Sequence, residues 1–388
     1  MAMLARRLQG VRSSPVRDLL ALTRRPEVIS FAGGLPAAEL FDVDGWVDAF
    51  AKAAGDRRNL QYAPTDGDPA LRALIAERMT RRGVPTSDAD LLVTTGSQQA
   101  LTLVTTALVE PGDVVAVEEP TYLAALQCFQ LAGARIVPIA SDEHGADPAS
   151  LADVLERERP SLVYLVPTFA NPSGRTLTAQ RRATIAALAE AHDVWVVEDD
   201  PYGELRYRGE PVPPLATYGE RVLYLGSLSK IGAPGLRLGW LRAPRSLMPA
   251  AVIAKQAADL HTSTIDQAAA AIYLANTDMD GHVRMLCAAY RDRRDTMIAA
   301  LPTTVPAGTE WTDPDGGMFV WLRLPGDGVD TAEVLKHALT HNVAFVPGAP
   351  FFAVNPDLAT MRMSFTANAP AEITEGMRRL GVALAEFL

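Results

Sequence analysis

Val222-Leu223-Tyr224-Leu225-Gly226-Ser227-Leu228-Ser229-Lys230 passes from four apolar residues to a glycine, two hydroxyls and an amine. The apolar half has strand length and no polar face, the pattern of a strand buried on both sides. The polar half begins at the strand's carboxyl end, where open α/β sheets hold their ligands. Outward from this stretch, apolar runs at 91–94, 114–118, 135–140, 162–167, 194–198 and 236–241 alternate with helical patterns at 98–109, 122–131, 148–157 and 178–191. That alternation predicts an α/β fold with a mainly parallel, seven-stranded sheet between helices. Beyond 241 the pattern becomes helices over 247–260, 265–276 and 282–301, a strand over 318–324 and a helix over 331–341. Strands over 343–346 and 360–365 and a final helix over 370–387 follow. These form a smaller α+β domain, and 44–82 reads as helical. The expected division is an N-terminal arm and part of the small domain over 1–45, a large ligand-binding domain over 46–280 and a small domain over 281–388.

Composition excludes several function classes. The net charge is −10, the wrong sign for non-specific nucleic-acid binding. The chain is 48% hydrophobic, but no apolar run approaches the ~18 residues of a membrane span. Two cysteines, Cys128 and Cys287, fit a reducing cytoplasm better than a disulfide scaffold. Neither G-x-G-x-x-G, a P-loop nor G-x-S-x-G occurs. His337 and His341 stand at i, i+4 and could share a metal. Without the glutamate of H-E-x-x-H a solvated helix face is the favoured reading, and no metal is expected.

Lysine occurs only at Lys52, Lys230, Lys255 and Lys336; the other basic residues of the 36 are arginines. Arginine cannot lose its proton, so an amine nucleophile must be one of these four. Lys52, Lys255 and Lys336 fall on amphipathic helical patterns and are read as solvent-facing. Lys230 alone follows a buried strand, with Ser227, Ser229, Gly232, Gly235 and Arg237 close by. Short hydroxyl donors, close backbone approach and an arginine fork are what a phosphate requires. An amine beside a phosphate cup suggests pyridoxal 5′-phosphate, a phosphorylated aldehyde held by a Schiff base. Its pyridine nitrogen needs a buried carboxylate, which Glu198-Asp199-Asp200-Pro201-Tyr202 offers at a strand end. Its phosphate favours a helix N-terminus, which Thr95-Gly96-Ser97-Gln98-Gln99 offers. Taken singly, these read equally as an Asp-Pro turn and a serine N-cap.

Together with Ser30-Phe31-Ala32-Gly33-Gly34-Leu35-Pro36, Asn171-Pro172-Ser173-Gly174 and Met361-Arg362-Met363-Ser364-Phe365, these motifs span nearly the whole chain. The sequence resembles the PLP-dependent aminotransferases of fold type I, class I/II. The likeness is greatest to the branch of the 2-aminoadipate and kynurenine aminotransferases and the catalytic-like domain of MocR regulators. The resemblance implies that Lys230 carries the cofactor and moves a proton between substrate Cα and cofactor C4′. It implies that Asp199, three residues before Tyr202, pairs with the pyridine nitrogen. Tyr202 and Asn171 serve the phenolic oxygen, and Tyr122 stacks on the ring. Ser97, Gln98, Ser227, Ser229 and Arg237 hold the phosphate, and Tyr62 reaches the phosphate of a neighbouring subunit. Arg362 clamps the substrate α-carboxylate with Asn171; the competing reading is a structural ion pair. Gly34 gives backbone access to the substrate, and Arg17 lies near the substrate side chain. Residues 1–25 are arginine-rich like a transit peptide, yet the match at Arg17 favours an arm of the enzyme.

The expected activity is ping-pong transfer of an amino group between an L-amino acid and a 2-oxo acid, 2-oxoglutarate in most of the family. A homodimer with shared sites is implied. The alternative is another PLP reaction on the same scaffold, such as β-elimination, decarboxylation or cyclisation. A regulator is disfavoured, since the match begins near residue 14 and the charge is negative. The identity of the amino acid is not legible in the sequence.

Overall fold

The computed structural model describes residues 5–8 and 25–387. Arg17 therefore lies outside the described residues. The strands, in chain order, are β1 (Ile29–Ser30), β2 (Leu91–Thr94), β3 (Val114–Glu118), β4 (Arg135–Ile139), β5 (Ser141–Asp142), β6 (Gly145–Ala146) and β7 (Leu162–Leu165). There follow β8 (Trp195–Asp199), β9 (Val222–Ser227), β10 (Gly239–Arg242), β11 (Glu310–Trp311), β12 (Phe319–Arg323), β13 (Val343–Ala344), β14 (Val346–Pro347) and β15 (Thr360–Ser364). Seven of them form one sheet in the order β2-β10-β9-β8-β7-β3-β4. All neighbours are parallel except β10, which runs antiparallel to both β2 and β9. The carboxyl ends of β2, β9, β8, β7 and β3 thus share one edge.

The apolar runs form strands because both faces are covered. Every residue of β2, β7 and β9 is buried. Helices such as Ser97–Leu108, Leu123–Ala132 and Ala179–Ala191 bury one side each against the sheet. A second, antiparallel sheet runs β11-β12-β15-β14. Its strand β15 is wholly buried, and the 26-residue helix Met279–Thr304 precedes it in the chain.

Four expectations need correction. The segment 44–82 is two helices, Val43–Gly55 and Pro69–Arg81, joined by a short turn at Arg57–Leu60 and an irregular stretch carrying Tyr62. Asp68 caps the second helix by accepting from Leu71 N at 2.9 Å, so the helix starts there. The run 236–241 is not one strand: Pro234–Leu236 is a 3-10 turn, Arg237 is left-handed (φ 53°), and β10 starts at Gly239. The run 343–346 divides between sheets, β13 pairing with β1 and β14 with β15. Lys255 is fully buried rather than solvent-facing.

Candidate active site

Five loops converge at the shared sheet edge. β2 leads through Gly96 to Ser97, β3 to Tyr122 and β7 to Asn171; β8 ends on Asp199, and β9 on Ser227 before Ser229 and Lys230. With Gln98, Tyr202 and Arg237 they enclose a cavity of about 170 Å³. A wider open cleft adjoins it, sharing Gln98, Tyr122 and Arg237.

At one end lies a hydroxyl-rich cup. Ser227 Oγ donates to Ser229 Oγ at 2.8 Å and accepts from Ser229 N at 3.0 Å. Gly96 (φ 80°) precedes the helix Ser97–Leu108, which no side chain caps. A Cβ on Gly96 would come within 2.4 Å of Arg237 Nη2, so only glycine lets the guanidinium lie over this helix start. Uncapped amides, hydroxyls and an arginine fork make an anion site.

In the cavity, Lys230 Nζ donates to Gly34 O at 2.8 Å. Burial, reinforced by the Arg362 and Arg237 charges, lowers its amine to about 8. A Cβ on Gly34 would lie 2.7 Å from Phe319 Cζ, which explains the glycine. Asp199 Oδ2 accepts from Tyr164 Oη at 2.7 Å, whereas its buried Oδ1 has no partner. Burial raises the Asp199 carboxyl to about 7; the Tyr164 hydrogen bond opposes this, and the Asp200 charge adds to it. Asp200 Oδ1 is also unpartnered, but Asp200 faces Arg82 (2.6 Å) and Tyr224 (3.0 Å) outside the cavity. Burial pushes the Tyr122 hydroxyl up to about 12 and holds that of Tyr202 well above its ordinary value.

Arg362, on β15, is buried. Its Nη1 donates to Asn171 Oδ1 and its Nη2 to Ala32 O, each at 2.7 Å, and its Nε is unpartnered. The guanidinium lies 4.3 Å from the Phe319 ring centroid and 5.1 Å from that of Phe351. Among the described residues no carboxylate pairs with it, so the structural ion pair does not form. Burial lowers its pKa to about 10, the mark of a cation lacking a counter-charge. Tyr62 stands apart from the cavity, 78% exposed and edge-on to His261 at 5.8 Å.

Two features escaped sequence reading. Tyr164 looked like one more core residue of β7. Lys255, on the helix Met248–Ala258, donates to Gln99 Oε1 (2.6 Å), Asp259 Oδ2 (2.8 Å) and Thr262 Oγ1 (2.9 Å). Gln99 Oε1 also accepts from Thr95 N at 2.8 Å, so this buried amine braces the loop that enters the helix at Ser97. The D-L-H-T run at 259–262 was the available signal.

The cavity fits pyridoxal 5′-phosphate. The orphaned Asp199 Oδ1 suits a pyridinium N–H, the cup suits a phosphate, and the lysine amine suits an aldehyde. The match to the aminotransferase class I and II family covers residues 26–380. The chain belongs to that family: it is a pyridoxal 5′-phosphate-dependent aminotransferase of fold type I, passing an amino group between an amino acid and a 2-oxo acid. It is 42% identical over 387 residues to aromatic-amino-acid aminotransferase 1 of Thermococcus litoralis, covering 97% of this chain and 93% of that one. A Pyrococcus horikoshii kynurenine aminotransferase, solved in complex with PMP, superposes with TM-score 0.94 at 38% identity, over 99% of this chain and 97% of that one. The α-aminoadipate aminotransferase of Thermus thermophilus, complexed with N-(5′-phosphopyridoxyl)-L-leucine, gives 0.92 at 37%, with the same coverage. Among the described residues no helix is long and apolar enough to cross a membrane.

Proposed function

We propose that the enzyme works by a ping-pong cycle between an L-amino acid with a large side chain and 2-oxoglutarate. The observation that carries this reading is Arg362: a buried cation without a counter-charge, bonded to Asn171 on the cavity wall. An α-carboxylate supplies the missing charge and a bidentate partner, and both half-reactions present one. When bound, the cofactor supplies the electron sink for the Cα–H bond.

With the cofactor bound, Lys230 would be the base that takes the proton from substrate Cα and would return it on the cofactor side. Its amine, lowered to about 8, is neutral in a useful fraction of chains near neutral pH. Asp199 would hold the pyridine nitrogen protonated through its free Oδ1, while Tyr164 fixes the other oxygen. Tyr202 and Asn171 would orient the cofactor's phenolic oxygen, and Tyr122 would cover its ring. Ser97, Gln98, Ser227, Ser229 and Arg237, which line the same cavity, would anchor its phosphate. The named relatives act on aromatic amino acids, kynurenine and α-aminoadipate, and this range supports a large side chain. Arg17 is assigned to side-chain selection.

The working unit is a homodimer in which Tyr62 reaches the partner's phosphate cup. Its exposure supports this, as does the exposure of Leu60, Val43 and Val47 on neighbouring elements. A panel of amino acids against 2-oxoglutarate and pyruvate, following the absorbance of the bound cofactor, tests the reading. It fails if aromatic and aminoadipate-like substrates leave that spectrum unchanged.

A further inference from the structure

His337 lies in the last turn of the helix Thr331–Thr340, and His341 is the C-cap residue that follows it. This end faces the C-terminal helix Pro370–Phe387, whose last turn brings in Glu386. Glu386 Oε2 lies 3.3 Å from His337 Nε2 and 3.0 Å from His341 Nε2. The three candidate ligand atoms all fall within 4.8 Å of one another. Sequence had offered only the histidine pair; folding adds a carboxylate from 45 residues further on.

The spacing matches a coordination polyhedron. Zinc bonds of about 2.0–2.1 Å to imidazole and carboxylate, at tetrahedral angles, separate adjacent ligand atoms by about 3.3 Å. Two of the three edges already have that length, so binding needs only small side-chain rotations. Two imidazoles and one carboxylate suit Zn²⁺ and its neighbours Ni²⁺ and Cu²⁺ rather than Mg²⁺ or Ca²⁺. Among the described residues, the ion pairs of Glu386 are with these two histidines alone, so no lysine or arginine competes for the carboxylate. The histidine side chains are 32% and 25% exposed and Glu386 53%, so an ion can enter from solvent and keep a water ligand. None of the three lines the lysine cavity.

We propose that His337, His341 and Glu386 form a binding site for one divalent transition-metal ion, with Zn²⁺ as its type, which staples the last turn of the C-terminal helix to the helix Thr331–Thr340. The ion is structural: it joins two helices that already pack on each other and takes no part in amino transfer.

Tag-free holoenzyme, stripped with a chelator, is titrated with Zn²⁺ against a chromophoric competitor and then melted with and without the ion. Wild type takes up one Zn²⁺ per chain, and its melting temperature rises with free zinc because only the folded chain assembles the site. His341→Asn and Glu386→Gln each weaken that uptake by about tenfold or more, since even outer-shell partners cost that much. Both lose the thermal shift and keep wild-type turnover. Equal zinc uptake by wild type and both variants overturns the proposal. So does a wild type that the competitor strips completely, or a thermal shift that survives both substitutions.

Discussion

Replacing Tyr164 by phenylalanine removes a single oxygen from behind the cofactor cavity. That oxygen donates to Asp199 Oδ2 at 2.7 Å, the one hydrogen bond the carboxylate makes, because Oδ1 is left open. A hydrogen bond to a charged group is worth ~1.5–3 kcal/mol, and leaving the carboxylate bare raises its pKa by about 1–2 pH units. Asp199 already stands at about 7, with burial the main cause and Tyr164 the opposing influence. Without Tyr164 it is mostly protonated at neutral pH and must lose that proton before accepting from a pyridinium. The sign follows: pyridoxal 5′-phosphate affinity falls by about tenfold or more near pH 7, and the deficit shrinks as pH rises and the carboxylate ionises unaided. Titrating apoenzyme with the cofactor across pH, by absorbance, gives the ratio of dissociation constants directly. A ratio that stays flat with pH, or a Tyr164→Phe chain that melts lower but binds normally, makes Tyr164 a packing residue only.

Three further outcomes follow from the same geometry. Arg362→Ala removes the α-carboxylate clamp and lowers kcat/KM for every amino acid alike by ~2–4 kcal/mol; a change in ranking among side chains argues against that role. Lys255→Met leaves Gln99, Asp259 and Thr262 without their shared donor, weakening cofactor binding by ~1–3 kcal/mol while the aldehyde-binding amine stays in place; unchanged affinity in steady titrations shows that the brace does not reach the phosphate cup. In the proposed shared-site dimer, mixing Lys230→Ala chains with Tyr62→Phe chains gives one doubly defective and one intact site, so activity rises above either parent; no recovery despite verified subunit exchange means each site is built from one chain.

The large sheet was legible because its strands are apolar on both faces, a pattern that depends on no partner's identity. Lys230 stands out in the sequence by scarcity, since few amines compete with it, and it does line the cavity. Other features depended on contacts that no local pattern records. The run at 236–241 is apolar enough for a strand, but Arg237 turns left-handed to lay its guanidinium over Gly96. The run 343–346 reads as one strand because nothing local says that β1 captures Val343–Ala344 and β15 captures Val346. Lys255 has the setting of a surface lysine until Gln99 and Thr262 arrive from distant segments. Tyr164 is tied to the cavity only through its bond to Asp199, one strand away.

The proposed function rests on Lys230, in the cavity edged by Asp199 and Asn171, being the amine that would carry the cofactor. Reducing the holoenzyme with borohydride and locating the modified lysine by peptide mass spectrometry tests it most directly. Modification confined to Lys230 is the predicted result. Modification of Lys255, the other buried amine, or of Lys52 or Lys336 contradicts the claim and moves the active site elsewhere.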